Sequence, residues 1–193
     1  MIGRTLVALL AVFVLSGCTE TTAEQPDAGP HSSGAGVPCV PPASGEPSPA
    51  TPPAGGEPAP DVALACFAGG ATVRLTQLGR PAIVNLWASW CEPCQSELPA
   101  LNSYAQRVAG SVLVLGVATR DSRPRTQSVI DDLGITFPTL FDRDGELLAA
   151  VKRVNLPVTL FVTAAGTVAY VYNARALDSA GFENLARQHL GIP

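Results

Sequence analysis

Apolar and polar positions divide the chain into three stretches of different character. An unbroken apolar run covers residues 6–15, residues 19–60 carry almost no large apolar side chains, and from Asp61 onward short apolar runs alternate with segments of helical period. In the last stretch, residues 62–64 and 72–75 read as a hairpin around Gly69-Gly70, residues 82–86 as a buried strand and 112–118 as a second. Residues 158–162 and 167–172 read as a closing pair joined across Ala164-Ala165-Gly166. Helical period predicts a helix over 95–108, with Leu98, Leu101, Ala105 and Val108 on one face and Pro99 kinking the axis. Further helices are expected near 126–133, over 146–151 and over 179–190, the last capped by Asp178 or Ser179 and ended by Gly191. Strands alternating with helices imply an α/β domain over 61–193, a sheet with helices on both faces, and about 130 residues suffice for one core.

Composition changes how the first two stretches are read. Arg4, the 6–15 run and Ser16-Gly17-Cys18 have the order of a targeting signal, and the run is too short for an ordinary membrane span. The folded part is therefore expected outside the cytoplasm. Residues 19–60 hold eleven of the eighteen prolines and cannot bury enough surface to offset their ordering entropy, so 18–60 reads as a tether. Charge divides at the same place: the tether has five acidic residues and no Lys or Arg, whereas residues 61–193 hold eleven acids and eleven bases, so the net charge of −4 belongs to the N-terminal part. A neutral head offers no field to collect nucleic acid, and Arg120, Arg123 and Arg125 read as a solvated loop.

Candidate chemistry centres on Trp90-Cys91-Glu92-Pro93-Cys94, where the apolar run 82–86 gives way to a helix. Unpaired N–H groups and the dipole at a helix start stabilise a thiolate, which marks Cys91 as the attacking sulfur. Cys94, one turn further in, is placed to resolve a mixed disulfide. Pro93 costs little there because its missing N–H would have been unpaired anyway. Glu92 sets a negative charge between the sulfurs and should disfavour the thiolate, so a relatively reducing pair is expected. A zinc half-site and an inert disulfide use the same spacing, but neither His31 nor His189 has ligand spacing to the pair, and no metal is expected. Cys39 and Cys66 remain as a second pair, read as a structural disulfide rather than a relay to Cys91 and Cys94.

Ile83-Val84-Asn85-Leu86-Trp87-Ala88-Ser89-Trp90-Cys91-Glu92-Pro93-Cys94, then Glu97-Leu98-Pro99, resembles the thioredoxin superfamily and within it the TlpA/ResA-like extracytoplasmic proteins. Leu156-Pro157-Val158-Thr159-Leu160-Phe161-Val162 is similar to the cis-proline segment of that family. The resemblance implies a thioredoxin-like fold with an N-terminal β-hairpin extension and a central insertion between 118 and 158. It implies no cofactor beyond the redox-active Cys91–Cys94 disulfide, a cis Pro157 against the sulfurs, and a Leu156 backbone that pairs with an extended substrate segment alongside Trp90, Glu92 and Pro93. Asn85 stands where thioredoxin has a buried Asp that moves a proton. The stretch 116–122 is similar to one that carries an active-site Glu in ResA-like proteins, which puts Asp121 forward as the proton acceptor. Glu97, one turn past the dithiol, has two readings, a helix-face carboxylate or a group that perturbs Cys94, and the first is preferred.

Leu15-Ser16-Gly17-Cys18 resembles a lipobox, implying cleavage after residue 17, lipid on Cys18 and attachment to the outer face of the cell membrane. The implied activity is thiol–disulfide exchange with protein substrates, in the reducing direction, for apocytochrome c maturation, with electrons from a membrane partner of the CcdA/DsbD type. Oxidation of secreted thiols uses the same residues, and a lipoprotein binding module without turnover is the alternative from another class. Thr136-Phe137-Pro138-Thr139-Leu140 also resembles peroxiredoxin sequence, but the peroxidatic threonine–cysteine arrangement is missing at Cys91.

Overall fold

Ala82, Ile83, Val84, Leu86 and Trp87 are wholly buried because their strand lies inside an eight-stranded mixed sheet, shielded on both faces. The computed structural model describes residues 39–40 and 56–192, and the apolar run, Cys18 and most of the expected tether lie outside the described residues. In chain order the elements are β1 (Glu57–Pro58), β2 (Leu64–Cys66), β3 (Thr72–Val73), a single 3-10 turn (Leu75–Gln77), β4 (Ala82–Trp87), α1 (Glu92–Arg107), β5 (Leu113–Thr119), α2 (Arg123–Asp132), β6 (Thr139–Asp142), α3 (Glu146–Ala150), β7 (Val158–Val162), β8 (Thr167–Tyr172) and α4 (Ser179–Leu190).

Across the sheet the strands run β1-β8-β7-β4-β5-β6-β2-β3. β4, β5 and β6 are parallel, connected by helical crossovers, and the other neighbours are antiparallel. Alternation along β4 sends Ile83 and Trp87 to one core and Ala82, Val84 and Leu86 to the other. The first core is closed by Leu98, Leu101 and Tyr104 of α1 with Phe182 and Ala186 of α4, the second by Leu147 and Leu148 of α3 with Leu75 and Ala59. Asn85 shares the α1 face with Ile83 and Trp87, and this places it behind the dithiol.

Several elements differ from the sequence reading, among them α2, which begins at Arg123. α1 starts at Glu92, three residues early, because Cys91 already caps it and Pro93 is tolerated in its first turn. It runs through Pro99 as one element. β6 was hidden by its brevity, four residues between Pro138 and the Gly145 turn. β1 lies in the proline-rich stretch: Glu57 pairs with Val168, Pro58 with Thr167, and Ala59 donates its N–H to Gly166 O at 2.9 Å. The sheet thus takes in residues that a boundary at Asp61 leaves to the tether. An edge strand tolerates Pro58, whose missing N–H need not face a neighbour.

Cys39 and Cys66 form a disulfide with sulfurs 2.05 Å apart. Cys66 sits in β2 beside Leu140 of β6, near one margin of the sheet, whereas β1 forms the other margin. The loop closed by this bond therefore reaches both margins. Three strand steps separate β2 from β4, about 14 Å at ~4.8 Å per step. That separation removes a direct relay from Cys39 and Cys66 to the dithiol at the end of β4.

Gly116 fixes how closely β5 and the β6 approach can pack. A Cβ there would meet the Phe137 ring at 2.8 Å, Trp87 Nε1 at 3.0 Å and Thr139 Oγ1 at 3.1 Å. Gly116→Ala is expected to cost about 1–3 kcal/mol as overpacking, read as a lower urea midpoint at unchanged slope.

Candidate active site: a dithiol at a strand-to-helix junction

β4 ends at Trp87, and the chain turns through Ala88, Ser89 and Trp90 into Cys91, the N-cap of α1, with φ −96° and ψ 97°. Cys91 and Cys94 are joined, Sγ to Sγ 2.08 Å. Cys91 is 5 % exposed and Cys94 0 %, the order required for attack by the first and resolution by the second. Cys91 Sγ accepts the N–H of Cys94 at 3.3 Å, so the helix start gives its donor directly to the outer sulfur. Glu92 and Pro93 lie exposed on the first turn.

The turn before Cys91 is fastened from the end of β5. Asp121 accepts the Ser89 N–H at 2.6 Å, the Ser89 hydroxyl at 2.8 Å and the Ser122 N–H at 2.7 Å. Gln95 donates to Ser89 O at 2.6 Å, and the Trp90 indole N–H donates to Arg120 O at 3.0 Å. Arg120 holds a left-handed backbone, φ 51°, with its N–H on Asp142 O at 2.9 Å. Its side chain lies so close to Gly145 that a Cβ there would collide with Arg120 Nε, and Gly145 has φ +76° besides. Trp90, held through its indole nitrogen, is 55 % exposed beside the outer sulfur's turn.

Asp121 is thus engaged in holding this turn, its carboxylate accepting from donors on Ser89 and Ser122. Glu97, a helix-face carboxylate in the sequence reading, is 1 % exposed. One oxygen accepts Asn85 Nδ2 at 2.7 Å and the other the Leu177 N–H at 2.9 Å. Burial pushes its carboxyl above the ordinary range, while the Leu177 N–H and the Asn85 amide draw it back. The signal was present in the helical period, since Cys94, Glu97, Leu98 and Leu101 fall at i, i+3, i+4 and i+7 of one stripe.

The Leu156–Pro157 bond is cis. Leu86 pairs with Val158, so the register brings Pro157 to the end of β4 from which the Cys91 turn departs. Asn173 donates to Asn155 O at 3.1 Å and to Pro157 O at 2.7 Å, bracketing half-buried Leu156. His189, weighed as a metal ligand, instead stacks on Tyr170 with ring centroids 4.0 Å apart, and burial lowers its pKa.

A raised Glu97 pKa has a stability consequence. The folded chain keeps a proton that the unfolded chain releases, so stability is greatest below the ordinary Glu range and falls as pH rises through the raised value. Urea midpoints measured over a pH series should fall in that window for the wild type and less steeply for Glu97→Gln. Parallel slopes would mean that Glu97 titrates as an exposed acid.

A model described as the AhpC/TSA family matches residues 55–171. The chain is similar to thiol-disulfide oxidoreductase ResA of Oceanobacillus iheyensis, 32 % identical over 111 residues covering 56 % of this chain and 58 % of that protein. It is also similar to ResA of Bacillus subtilis, 29 % identical over 57 % of this chain and 63 % of that protein. The matched part thus spans about three-fifths of each relative. Among solved structures it resembles a secreted Mycobacterium tuberculosis disulfide oxidoreductase homologous to E. coli DsbE, with TM-score 0.57 and 26 % identity over 64 % of this chain and 92 % of that one. No helix among the described residues is long and apolar enough to cross a membrane.

Proposed function

The chain belongs to the AhpC/TSA family, with a thioredoxin-like α/β fold, and from that premise we propose that it is an extracytoplasmic thiol–disulfide oxidoreductase acting through Cys91 and Cys94. The observation that carries this is the pairing of an N-cap sulfur, already accepting a helix N–H, with a fully buried second sulfur one turn on.

In the reducing direction, the Cys91 thiolate attacks a substrate disulfide. A Cys91–substrate bond forms and one substrate thiolate leaves. Cys94 then gives its proton to the Glu97 carboxylate and attacks Cys91 Sγ, the mixed disulfide breaks, and the second substrate sulfur leaves with its electron pair. The substrate has gained two electrons, the Cys91–Cys94 pair has lost them, and the departing thiolates take protons from Glu97 and solvent. Glu97 suits this step because it lies three residues after Cys94 on the same helix face, about 5–6 Å between Cβ atoms, within reach directly or through one water. Asp121 is a positioning residue for the Ser89-Trp90 turn. Leu156, Pro157 and Trp90 receive an extended substrate segment, with Glu92 and Pro93 at its edge.

Likeness to ResA supports reduction, with apocytochrome c cysteines as substrate and a membrane donor of the CcdA/DsbD type returning the electrons. Lipid on Cys18 would hold the head to the membrane through residues 18–60. Glu92 disfavours the thiolate, and this agrees with a reducing couple. Equilibrating the purified protein against a reduced/oxidised glutathione series tests the direction: the pair is expected to stay oxidised until glutathione is strongly reducing. A strongly oxidising couple would replace the reductase with an oxidase of secreted thiols.

A further inference from the structure

The polar cluster behind the dithiol contains an amide that the exchange steps above leave without a role. Asn85 is fully buried in β4, on the face that α1 covers. Its Nδ2 makes two bonds, to Glu97 Oε1 at 2.7 Å and to Thr159 Oγ1 at 3.0 Å. Its Oδ1, equally buried, has no partner among the described residues. Thr159 stands directly opposite Asn85 in the β4–β7 register, so the three side chains are held by two strands and a helix rather than by a loop.

This arrangement works in either of two orientations. An ionised carboxylate only accepts, so it keeps Nδ2 turned toward itself, and Thr159 accepts the second N–H. A protonated Glu97 has an O–H to donate, and a half-turn of the amide about its last torsion puts Oδ1 where Nδ2 was. Oδ1 then accepts from Glu97 and from the Thr159 hydroxyl, which serves as donor as readily as acceptor. In each orientation one end of the amide makes two bonds and the other makes none. The bond count is equal, and the protonation state of Glu97 decides between them.

We propose that Asn85 is a positioning residue, an amide rotor that keeps Glu97 hydrogen-bonded both before and after it takes the proton of Cys94. The proposal rests on Glu97 being that acceptor. A fixed donor would favour only the carboxylate and a fixed acceptor only the acid. An amide free to turn bonds both, the carboxylate more strongly because that bond is charge-assisted, so Glu97 gains a proton from Cys94 and loses it to the departing thiolate without losing its bond to the amide at either step. A buried aspartate at the same place would face Glu97 with a second negative charge.

The test is the pH dependence of single-turnover disulfide exchange by the reduced full chain, followed in the step that resolves the mixed disulfide. With Glu97 as acceptor, the rate rises as Glu97 ionises, and Glu97→Gln loses this acid limb. Asn85→Leu, which bonds neither form, is expected to move the midpoint of the limb to higher pH by about half a unit, a threefold change in proton affinity set by the difference between a charge-assisted and a neutral bond, whereas a rise of more than about one unit would identify a fixed donor and overturn the rotor. Asn85→Asp keeps the shape, guards against a variant that fails to fold, and should move the midpoint further. A structural role would lower the urea midpoint and leave the pH midpoint alone. If Glu97→Gln keeps the acid limb, the acceptor assignment fails. If Glu97→Gln loses it while folded Asn85→Leu and Asn85→Asp titrate like the wild type, the rotor is overturned and the acceptor stands.

Discussion

Cys91→Ser is expected to abolish insulin reduction, with a loss of at least about 10³-fold, because a serine hydroxyl at neutral pH supplies almost none of the anion that attacks a disulfide. The substitution is small and the site well packed, so folding should survive it. Cys94→Ser should behave differently. Its outer thiolate still attacks, but nothing resolves the product, and mixed disulfides should accumulate in stoichiometric amount on a non-reducing gel. The two results together separate catalysis from binding. Equal insulin reduction by the wild type and Cys91→Ser would leave a thioredoxin-like scaffold that binds without turnover.

The second large effect is on stability. Breaking the ring closed by Cys39 and Cys66, by Cys66→Ala or Cys39→Ala, should cost about 3–4 kcal/mol, the chain entropy returned to the unfolded state by opening a loop whose ends are 27 residues apart. Cys66 is 2 % exposed in β2, so its replacement also removes packing, whereas Cys39 is only partly buried and its replacement isolates the covalent contribution. Urea unfolding of Cys39→Ala measures that contribution, and its insulin reduction should match the wild type. An unchanged midpoint would show that residue 39 stays docked without the bond. Lost turnover would revive the relay that the strand separation argues against.

The closing β-hairpin and α4 were legible to the residue. Alternation marks Val158–Val162 and Thr167–Tyr172, Gly166 supplies the left-handed turn between them, and Asp178 and Gly191 cap the final helix. The dithiol and its helix were equally plain, because two thiols beside a proline after an apolar run have few other uses. Where reading failed, local preference yielded to long-range contact. Nothing within the stretch around Glu57 signals a strand, because its partner is 111 residues away at Val168. Glu97 carries a charge that favours solvent while its stripe position points inward, and the donors that make its burial tolerable come from β4 and from residue 177. The bonds from Ser89 to Asp121 were not legible either, because they join residues 32 apart in the chain.

The Cys39–Cys66 bond also sets where a mechanical load would enter the fold. Tension applied to the chain before residue 39 passes through sulfur into β2, which is flanked by β3 and β6. Without that bond the same tension would arrive at β1, two residues held by a single neighbour, and could peel it from β8 one hydrogen bond at a time. With the bond intact, tension on the N-terminal part would be taken up at a shielded strand, leaving the weak margin slack.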